Sequence, residues 1–186
     1  EAAWLVLWSL GLPLDSDLDA IGGQTLSSGQ ADTVEAMIER RISTRQPAAY
    51  LTREAWLQGV PFYVDERAIV PRSFIAELIA DGGFDAWLSE DTLEVLDLCT
   101  GNGSLAVLAA MAWPEVQITG ADLSTDALAV ARINVDRHDL QQRIALVASD
   151  GLASCDGPYD LVLCNPPYVN VSSMNALLDE YRAEPE

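Results

Sequence analysis

The sequence contains no lysine. All ten of its basic residues are arginine, against 29 aspartates and glutamates, which gives a formal net charge of −19 at pH 7. So negative a field repels the phosphate backbone of nucleic acids and attracts basic partners. We therefore expect a basic protein as substrate, and the charge argues against nucleic acid. A salt-rich habitat or a biased genome would produce the same composition.

Cysteine is scarce, and its spacing does not suit cross-links. The three cysteines, Cys99, Cys155 and Cys164, form no Cys-x-x-Cys pair. An odd number at this spacing fits neither a disulfide framework nor a zinc site, so we expect no bound metal. The corresponding expectation is a reducing, cytoplasmic location.

Long hydrophobic runs are also missing. The apolar stretch near the start, residues 2–12, is interrupted by Ser9 and is too short to span a bilayer. It lacks the basic flank of a secretory signal peptide. The sequence therefore predicts no membrane partner.

Changes in the pattern of apolar and polar residues divide the sequence into three zones. Residues 1–52 carry apolar residues at helical spacing and predict a small helical domain. Residues 53–72 hold two strand-like pieces, 55–57 and 62–64, separated by Gly59 and Pro61, which predict a β-hairpin linker. Residues 73–186 predict an α/β domain that opens with a helix capped by Ser73.

Within the third zone, apolar runs of strand length alternate with helical patterns. The runs cover residues 93–98, 116–121, 144–148 and 159–164, and the helical patterns cover residues 104–111 and 125–138. Strand runs without polar alternation, joined by crossover helices, predict a parallel sheet covered on both faces. Ligands of such sheets bind at the carboxyl ends of the strands, so function is expected there.

The first of these strands is followed by a glycine-bearing turn, Asp97-Leu-Cys-Thr-Gly101-Asn-Gly103-Ser. Glycine allows positive backbone dihedrals and lets a ligand approach the main chain closely. The spacing differs from the dinucleotide fingerprint, and Asp97 would repel a pyrophosphate. A ligand with a cationic or hydroxylated part fits better, although a tight strand-to-helix turn alone would explain the same residues.

Acidic residues follow the next two strands. Asp122 could accept hydrogen bonds from both hydroxyls of a ribose, or it could cap the next helix. Asp150 could accept a hydrogen bond from an adenine amino group, although Asp150-Gly151 is also an ordinary turn pair.

The fourth strand ends in Asn165-Pro166-Pro167-Tyr168, the most specific signal in the sequence. Each proline fixes its own φ and keeps the preceding residue out of the helical region, so the tetrapeptide is extended. The Asn165 side-chain oxygen and the Pro166 carbonyl can then accept hydrogen bonds from one planar NH₂ group, beside the Tyr168 ring. The tetrapeptide predicts a site for an amide or aromatic amine, with a rigid turn as the alternative.

These residues together resemble class I S-adenosylmethionine-dependent methyltransferases that methylate NH₂ groups. Residues 50–52, 54–56, 61–67, 70–73 and 180–186 further resemble the bacterial ribosomal-protein glutamine methyltransferases of the PrmB/HemK family. The resemblance implies a Rossmann-like methyltransferase sheet with an N-terminal domain that recognises the substrate. Four of the seven strands of this class are evident, and the sequence begins at Glu1 rather than Met, so we expect part of a longer protein.

The resemblance also implies a reaction and a set of site residues. S-adenosyl-L-methionine would methylate the amide nitrogen of a glutamine in the third protein of the large ribosomal subunit. Catalysis would rest on Asn165, Pro166 and Tyr168. The cofactor contacts would be Asp97, Thr100, Gly101, Gly103, Asp122, Leu123, Asp150 and Asn165.

Several alternatives remain open at this point. The chain could methylate amino groups of nucleic-acid bases or glutamines of peptide release factors, or it could be an inactive cofactor-binding scaffold. One departure from the family concerns the turn, where the family most often has Gly and this chain has Cys99. We expect His138 on the surface, and Arg72 either in a structural or substrate contact or solvated.

Overall fold

A computed structural model describes residues 1–14, 16–167 and 184–185. The elements follow one another in the predicted order, with helices first, then a hairpin, then a sheet whose strands alternate with helices. The helices are α1 Ala2–Ser9, α2 Leu18–Ile21, α3 Ser28–Thr44, α4 Ala48–Thr52, α5 Phe74–Ala80, α6 Ser104–Ala112 and α7 Thr125–Arg137. The strands are β1 Ala55–Leu57, β2 Val60–Phe62, β3 Glu94–Leu98, β4 Gln117–Asp122, β5 Ile144–Ala148 and β6 Leu161–Cys164.

The N-terminal region is helical, and α3 begins where the sequence provides a strong start signal. The Ser27 hydroxyl accepts a hydrogen bond from the Gln30 backbone N–H, while the Gln30 side chain accepts one from the Ser27 N–H. This reciprocal pair satisfies two of the backbone donors left free at a helix start. The helix ends at Arg45 in the left-handed conformation. Among the described residues, no helix is long and apolar enough to cross a membrane.

The hairpin forms, but its second strand differs from the prediction. The prediction of a strand at 62–64 is wrong, because β2 is Val60–Phe62 and Pro61 lies opposite Trp56. The turn consists of Gln58 and Gly59, both with positive φ (49° and 75°), which suits the twist of a two-residue hairpin turn. Both strands of a two-stranded sheet are edge strands, where proline is tolerated.

The central sheet is parallel, with the strand order β5-β4-β3-β6. Leu98 lies opposite both Ala121 and Cys164, and Asp122 lies opposite Ala148. The carboxyl ends of the four strands are therefore level at one edge. This arrangement confirms the predicted α/β, Rossmann-like class, and it brings the four predicted strand-end motifs to the same side of the molecule.

The main core lies on one face of the sheet. It unites residues of α5, α6 and α7 with Val95, Ile118, Ile144 and Leu163, one from each strand. Side chains at neighbouring strand positions point to the opposite face. There Val162 is half exposed and Ala145 is exposed in the described part of the chain. On that same face Leu96 of β3 and Ala121 of β4 are buried. In the described part of the chain, the expectation of a sheet covered on both faces is therefore met at the two central strands, while the outer strands β5 and β6 are partly exposed on this face.

The link between hairpin and sheet is set by local capping. The Ser73 hydroxyl accepts a hydrogen bond from the Ile75 N–H at 3.1 Å, which confirms Ser73 as the cap of α5. The predicted domain boundaries at residues 52 and 72 fall between elements, after α4 and before α5.

Candidate active site

Asp97, the second-to-last residue of β3 before the glycine loop, is completely buried. Its Oδ2 accepts hydrogen bonds from the Thr100 hydroxyl at 2.5 Å and from the Ala106 N–H at 3.0 Å. Its Oδ1 is also buried and has no hydrogen-bond partner among the described residues. Burial raises the pKa of Asp97 to about 7, despite the two donors. An unpartnered buried carboxylate oxygen is costly, so this atom suits a cationic ligand group.

The glycine loop after β3 owes its shape to three residues with positive φ: Cys99 (62°), Gly101 (57°) and Gly103 (79°). A Cβ on Gly103 would lie 3.0 Å from the Cβ of Ala131 on α7, so both the close packing and the positive φ favour glycine at this position. A Cβ on Gly101 would meet nothing within 4 Å. Gly101 therefore borders open space in which a ligand can approach the backbone.

Asp122, at the end of β4, joins the glycine loop to the start of α7. Its Oδ2 accepts the Gly101 N–H at 2.8 Å, and its Oδ1 accepts the Ser124 N–H at 2.9 Å. Ser124 itself caps α7, since its hydroxyl accepts the Ala127 N–H at 3.1 Å. Each carboxylate oxygen can accept a further hydrogen bond, so this role leaves Asp122 able to bind hydroxyl groups.

The remaining strand-end candidates lie at the same edge. Leu123 follows Asp122 and is 72% exposed. Asp150 follows β5 and is exposed. The preceding residue, Ser149, donates its backbone N–H to the Asp122 carbonyl at 2.9 Å, so the end of β5 is fixed beside the end of β4. Gly151 has a positive φ of 56°, as a turn pair requires. Direct hydrogen bonds thus link Asp97 to Thr100 and Asp122 to Gly101, while Asp150 stands two strands away from β3.

Asn165 follows β6, the strand next to β3 on the side away from β4. Its Nδ2 donates a hydrogen bond to the Arg72 carbonyl at 3.2 Å. In the described part of the chain, no group donates a hydrogen bond to its Oδ1. Pro166 and Pro167 are exposed. Tyr168, predicted to form a wall of the site, lies outside the described residues.

Two thiols lie beside this edge. Cys164 is the last residue of β6 and pairs with Leu98, the residue before Cys99. Burial, together with the neighbouring Cys164 thiol, raises the pKa of the Cys99 thiol to about 11. Cys99 is therefore protonated at neutral pH and is not an activated nucleophile.

Two further residues have contacts that differ from, or sharpen, the sequence-based expectation. His138 is not a free surface residue, because it is half-buried, its Nε2 donates to the Pro61 carbonyl at 2.9 Å, and its ring packs on Phe62. Arg72 makes a structural contact: its guanidinium binds both oxygens of Glu184.

Sequence reasoning missed Asn134 and Glu184. Asn134 is completely buried on α7 and binds the backbone of Tyr63 and of Asn102 in the glycine loop. A signal for it exists, since Asn134 continues the buried stripe of Ala127, Val130 and Ala131 at helical spacing. Glu184 and Arg72 each lie in a segment that carries the family resemblance, but nothing in the sequence pairs two residues that are 112 positions apart.

Comparison of the chain with known proteins identifies its family. Residues 85–180 match the family described as the methyltransferase small domain, so the chain belongs to that methyltransferase family. The ribosomal protein uL3 glutamine methyltransferase of Burkholderia pseudomallei is 50% identical over 196 residues, which cover 100% of this chain and 63% of that protein. The protein of the same name from Neisseria gonorrhoeae is 47% identical over 188 residues, covering 100% of this chain and 62% of its own. The resemblance seen in the sequence is thereby confirmed.

The chain spans less than two thirds of the length of these curated relatives. Among solved structures, a SAM-dependent methyltransferase from Agrobacterium tumefaciens is 24% identical, covers 61% of this chain and 39% of its own, and has a TM-score of 0.47. The assignment of the fold rests on the strand order and register described above.

Proposed function

We propose that the protein uses S-adenosyl-L-methionine to methylate a glutamine side-chain amide of ribosomal protein uL3. The observation that carries the proposal is the presence, at adjacent strand ends, of two acceptor oxygens to which no described residue donates a hydrogen bond, the buried Oδ1 of Asp97 and the Oδ1 of Asn165. The first suits an ammonium group and the second an amide N–H. The curated uL3 glutamine methyltransferases that match the whole chain support the choice of substrate.

The residues of the glycine loop fit the methyl donor. Asp97 would bind the ammonium of its methionine part, because its Oδ1 is buried and has no hydrogen-bond partner in the described part of the chain. Thr100, Gly101 and Gly103 would line the donor site, with Gly101 offering the open approach. Asp122 would accept the ribose hydroxyls, and Leu123 and Asp150 would lie beside the adenine. When bound, the donor supplies a methyl group on a positively charged sulfur.

The tetrapeptide would orient the substrate. A carboxamide nitrogen is a weak nucleophile, because its lone pair is delocalised into the carbonyl. The Asn165 Oδ1 and the Pro166 carbonyl would each accept one N–H of the glutamine amide and hold the nitrogen in a single direction, with the Tyr168 ring alongside. Such orientation is worth roughly 7 to 11 kcal/mol in favourable cases. As the nitrogen becomes positive in the transition state, the same acceptors bind it more tightly.

The charge of the chain is consistent with this substrate. With a net charge of −19, the protein attracts a basic ribosomal protein over long distances and repels nucleic acid. We place the reaction in the cytoplasm, where ribosomal proteins are made.

Removing the Asn165 side chain tests the proposal. In the whole gene product, Asn165→Ala should lower kcat on isolated uL3 by at least about 100-fold, as for loss of one preorganised polar group. Cofactor affinity, measured by calorimetry, should stay within a few fold. Gln141→Ala removes an exposed carboxamide and is the matched control.

The same assay separates the alternatives. Transfer of labelled methyl groups to a peptide release factor or to duplex DNA, with none to uL3, would overturn the assignment of substrate. If Asn165→Ala transfers methyl groups to uL3 at the rate of the wild type, the tetrapeptide has no catalytic role and is only a rigid turn.

A further inference from the structure

Glu184 is a buried carboxylate whose described partners all belong to one short segment. Its side chain is 5% exposed. Its Oε1 accepts Arg72 Nη2 at 2.6 Å, and its Oε2 accepts Arg72 Nη1 at 3.2 Å and the Val70 N–H at 3.3 Å. A buried carboxylate without a partner is strongly destabilising, whereas a two-pronged contact with arginine is geometrically specific. The side chain of Arg72 is thus held in one position.

The backbone of the same arginine contacts the tetrapeptide. The Arg72 carbonyl accepts the Asn165 Nδ2–H at 3.2 Å. Arg72 lies between Pro71, whose ring fixes φ, and Ser73, which caps α5. With both neighbours constrained, the Glu184 contact fixes the remaining freedom of the segment and therefore the position of the carbonyl.

The contact decides which way the Asn165 amide faces. A carboxamide can turn by 180°, which exchanges its oxygen and nitrogen. Holding Nδ2 on a carbonyl directs Oδ1 to the other side, where no described residue donates to it. The reversed amide would present N–H groups to a substrate NH₂ and would repel it.

We propose that Arg72 and Glu184 are positioning residues, whose ion pair places the Arg72 carbonyl so that the Asn165 amide keeps its oxygen towards the substrate. The proposal rests on the proposed function in one respect, the role of Asn165 as acceptor of the substrate N–H. In this proposal the ion pair acts on the substrate only through the Arg72 carbonyl and Asn165.

The kinetic test is a double-mutant cycle on the whole gene product with uL3. Glu184→Gln keeps the shape of the side chain and removes its charge, and we expect kcat to fall about 10- to 100-fold while the Kd of the methyl donor changes less than 3-fold. In the Asn165→Ala background, Glu184→Gln should lower kcat no further, because it acts through Asn165. An equal fall in both backgrounds would mean a general structural role and would overturn the proposal.

Glu54→Gln is the matched control. Glu54 pairs with Arg137 at 3.1 Å and accepts the Trp56 indole N–H at 2.9 Å, and its described partners include neither Arg72 nor Asn165. It should change kcat less than 2-fold. If Glu184→Gln does not fold, Arg72→Lys replaces it, since lysine keeps the charge but cannot make the two-pronged contact.

A second readout needs no substrate. In protein labelled with ¹⁵N-asparagine, the Asn165 side-chain NH₂ signal is identified by its loss in Asn165→Ala. We expect a slowly exchanging, hydrogen-bonded proton in the wild type that exchanges at least 10-fold faster in Glu184→Gln. Unchanged exchange overturns the positioning role. Faster exchange in a protein that does not methylate uL3 supports the positioning role and overturns the proposed function alone.

Discussion

Asn134 on α7 and Tyr63 after the hairpin are joined by two hydrogen bonds, although 71 residues separate them. The Asn134 Oδ1 accepts the Tyr63 N–H at 2.7 Å, and the Asn134 Nδ2 donates to the Tyr63 carbonyl at 2.9 Å. The same Nδ2 donates to the Asn102 carbonyl at 2.8 Å. The Asn134 carboxamide therefore satisfies both backbone groups of Tyr63, as a neighbouring strand would. It also connects the segment after the hairpin to the glycine loop, through the Asn102 carbonyl.

Replacing Asn134 with leucine should destabilise the protein strongly. Asn134→Leu leaves the Tyr63 N–H and two backbone carbonyls without partners, and each such group costs about 1 to 3 kcal/mol. We expect the free energy of unfolding in urea to fall by about 3 kcal/mol or more. Arg132→Gln changes an exposed residue on the same helix and should alter it by less than about 0.5 kcal/mol. Equal stability of the two variants would contradict this role of Asn134.

Asp97 should make the protein without ligand less stable as the pH rises. Its pKa of about 7 in the folded state lies above the ordinary value of about 3.9, so the folded state binds more protons between these values. The free energy of unfolding should therefore decrease from about pH 4 to about pH 7. Asp97→Asn should remove this decrease and raise the Tm at pH 8 more than at pH 4, as thermal unfolding would measure.

The same titration bears on ligand binding. An ammonium group requires the ionised carboxylate, so affinity for the methyl donor should increase as the pH rises through about 7. Asp97→Asn should weaken binding at least about 10-fold and remove the pH dependence contributed by this group. Calorimetry at pH 6 and pH 8 measures both effects, and wild-type affinity in the variant would exclude Asp97 from the site.

Cys99 stands at a backbone position that favours glycine. Its φ of 62° lies in the left-handed region, which costs an ordinary residue about 1 to 2 kcal/mol. Glycine relieves this strain but has greater entropy when unfolded, so Cys99→Gly should change the free energy of unfolding by less than about 1 kcal/mol. Cys99→Val places a β-branched residue there and should lower it by about 2 kcal/mol. Urea unfolding of the three proteins measures the order, and a valine variant as stable as the wild type would contradict it.

Asp65 should stabilise the fold except in strong acid. Hydrogen bonds from Arg67, at 2.6 to 3.2 Å, hold its pKa at about 2, below the ordinary value. Because the folded pKa is the lower one, the stabilisation is present above about pH 4 and is lost as the pH falls through about 2. At pH 7, Asp65→Asn should lower the free energy of unfolding by roughly 2 kcal/mol. Glu66→Gln, at the exposed neighbouring residue, is the control, and a loss that persists undiminished at pH 2 would contradict the ionic origin.

Local patterns in the sequence determined the elements and the class of fold. The strand at residues 144–148 and the Ser73 cap appear where they are predicted. Apolar runs and helix caps act between residues a few positions apart, so they can be read along the chain. Level strand ends follow from the parallel sheet, which is why Asp97, Asp122 and Asn165 could be expected at one edge.

Tertiary structure decided what these patterns left open. It placed Pro61 opposite Trp56 inside β2, and it ended that strand at Phe62, since Tyr63 takes Asn134 as its partner. It buried Asp97 with one oxygen that has no partner among the residues described, and it brought Glu184 to Arg72. These contacts join residues far apart in sequence or depend on how deeply a carboxylate is desolvated, and both follow from the packing of the whole domain rather than from any local pattern.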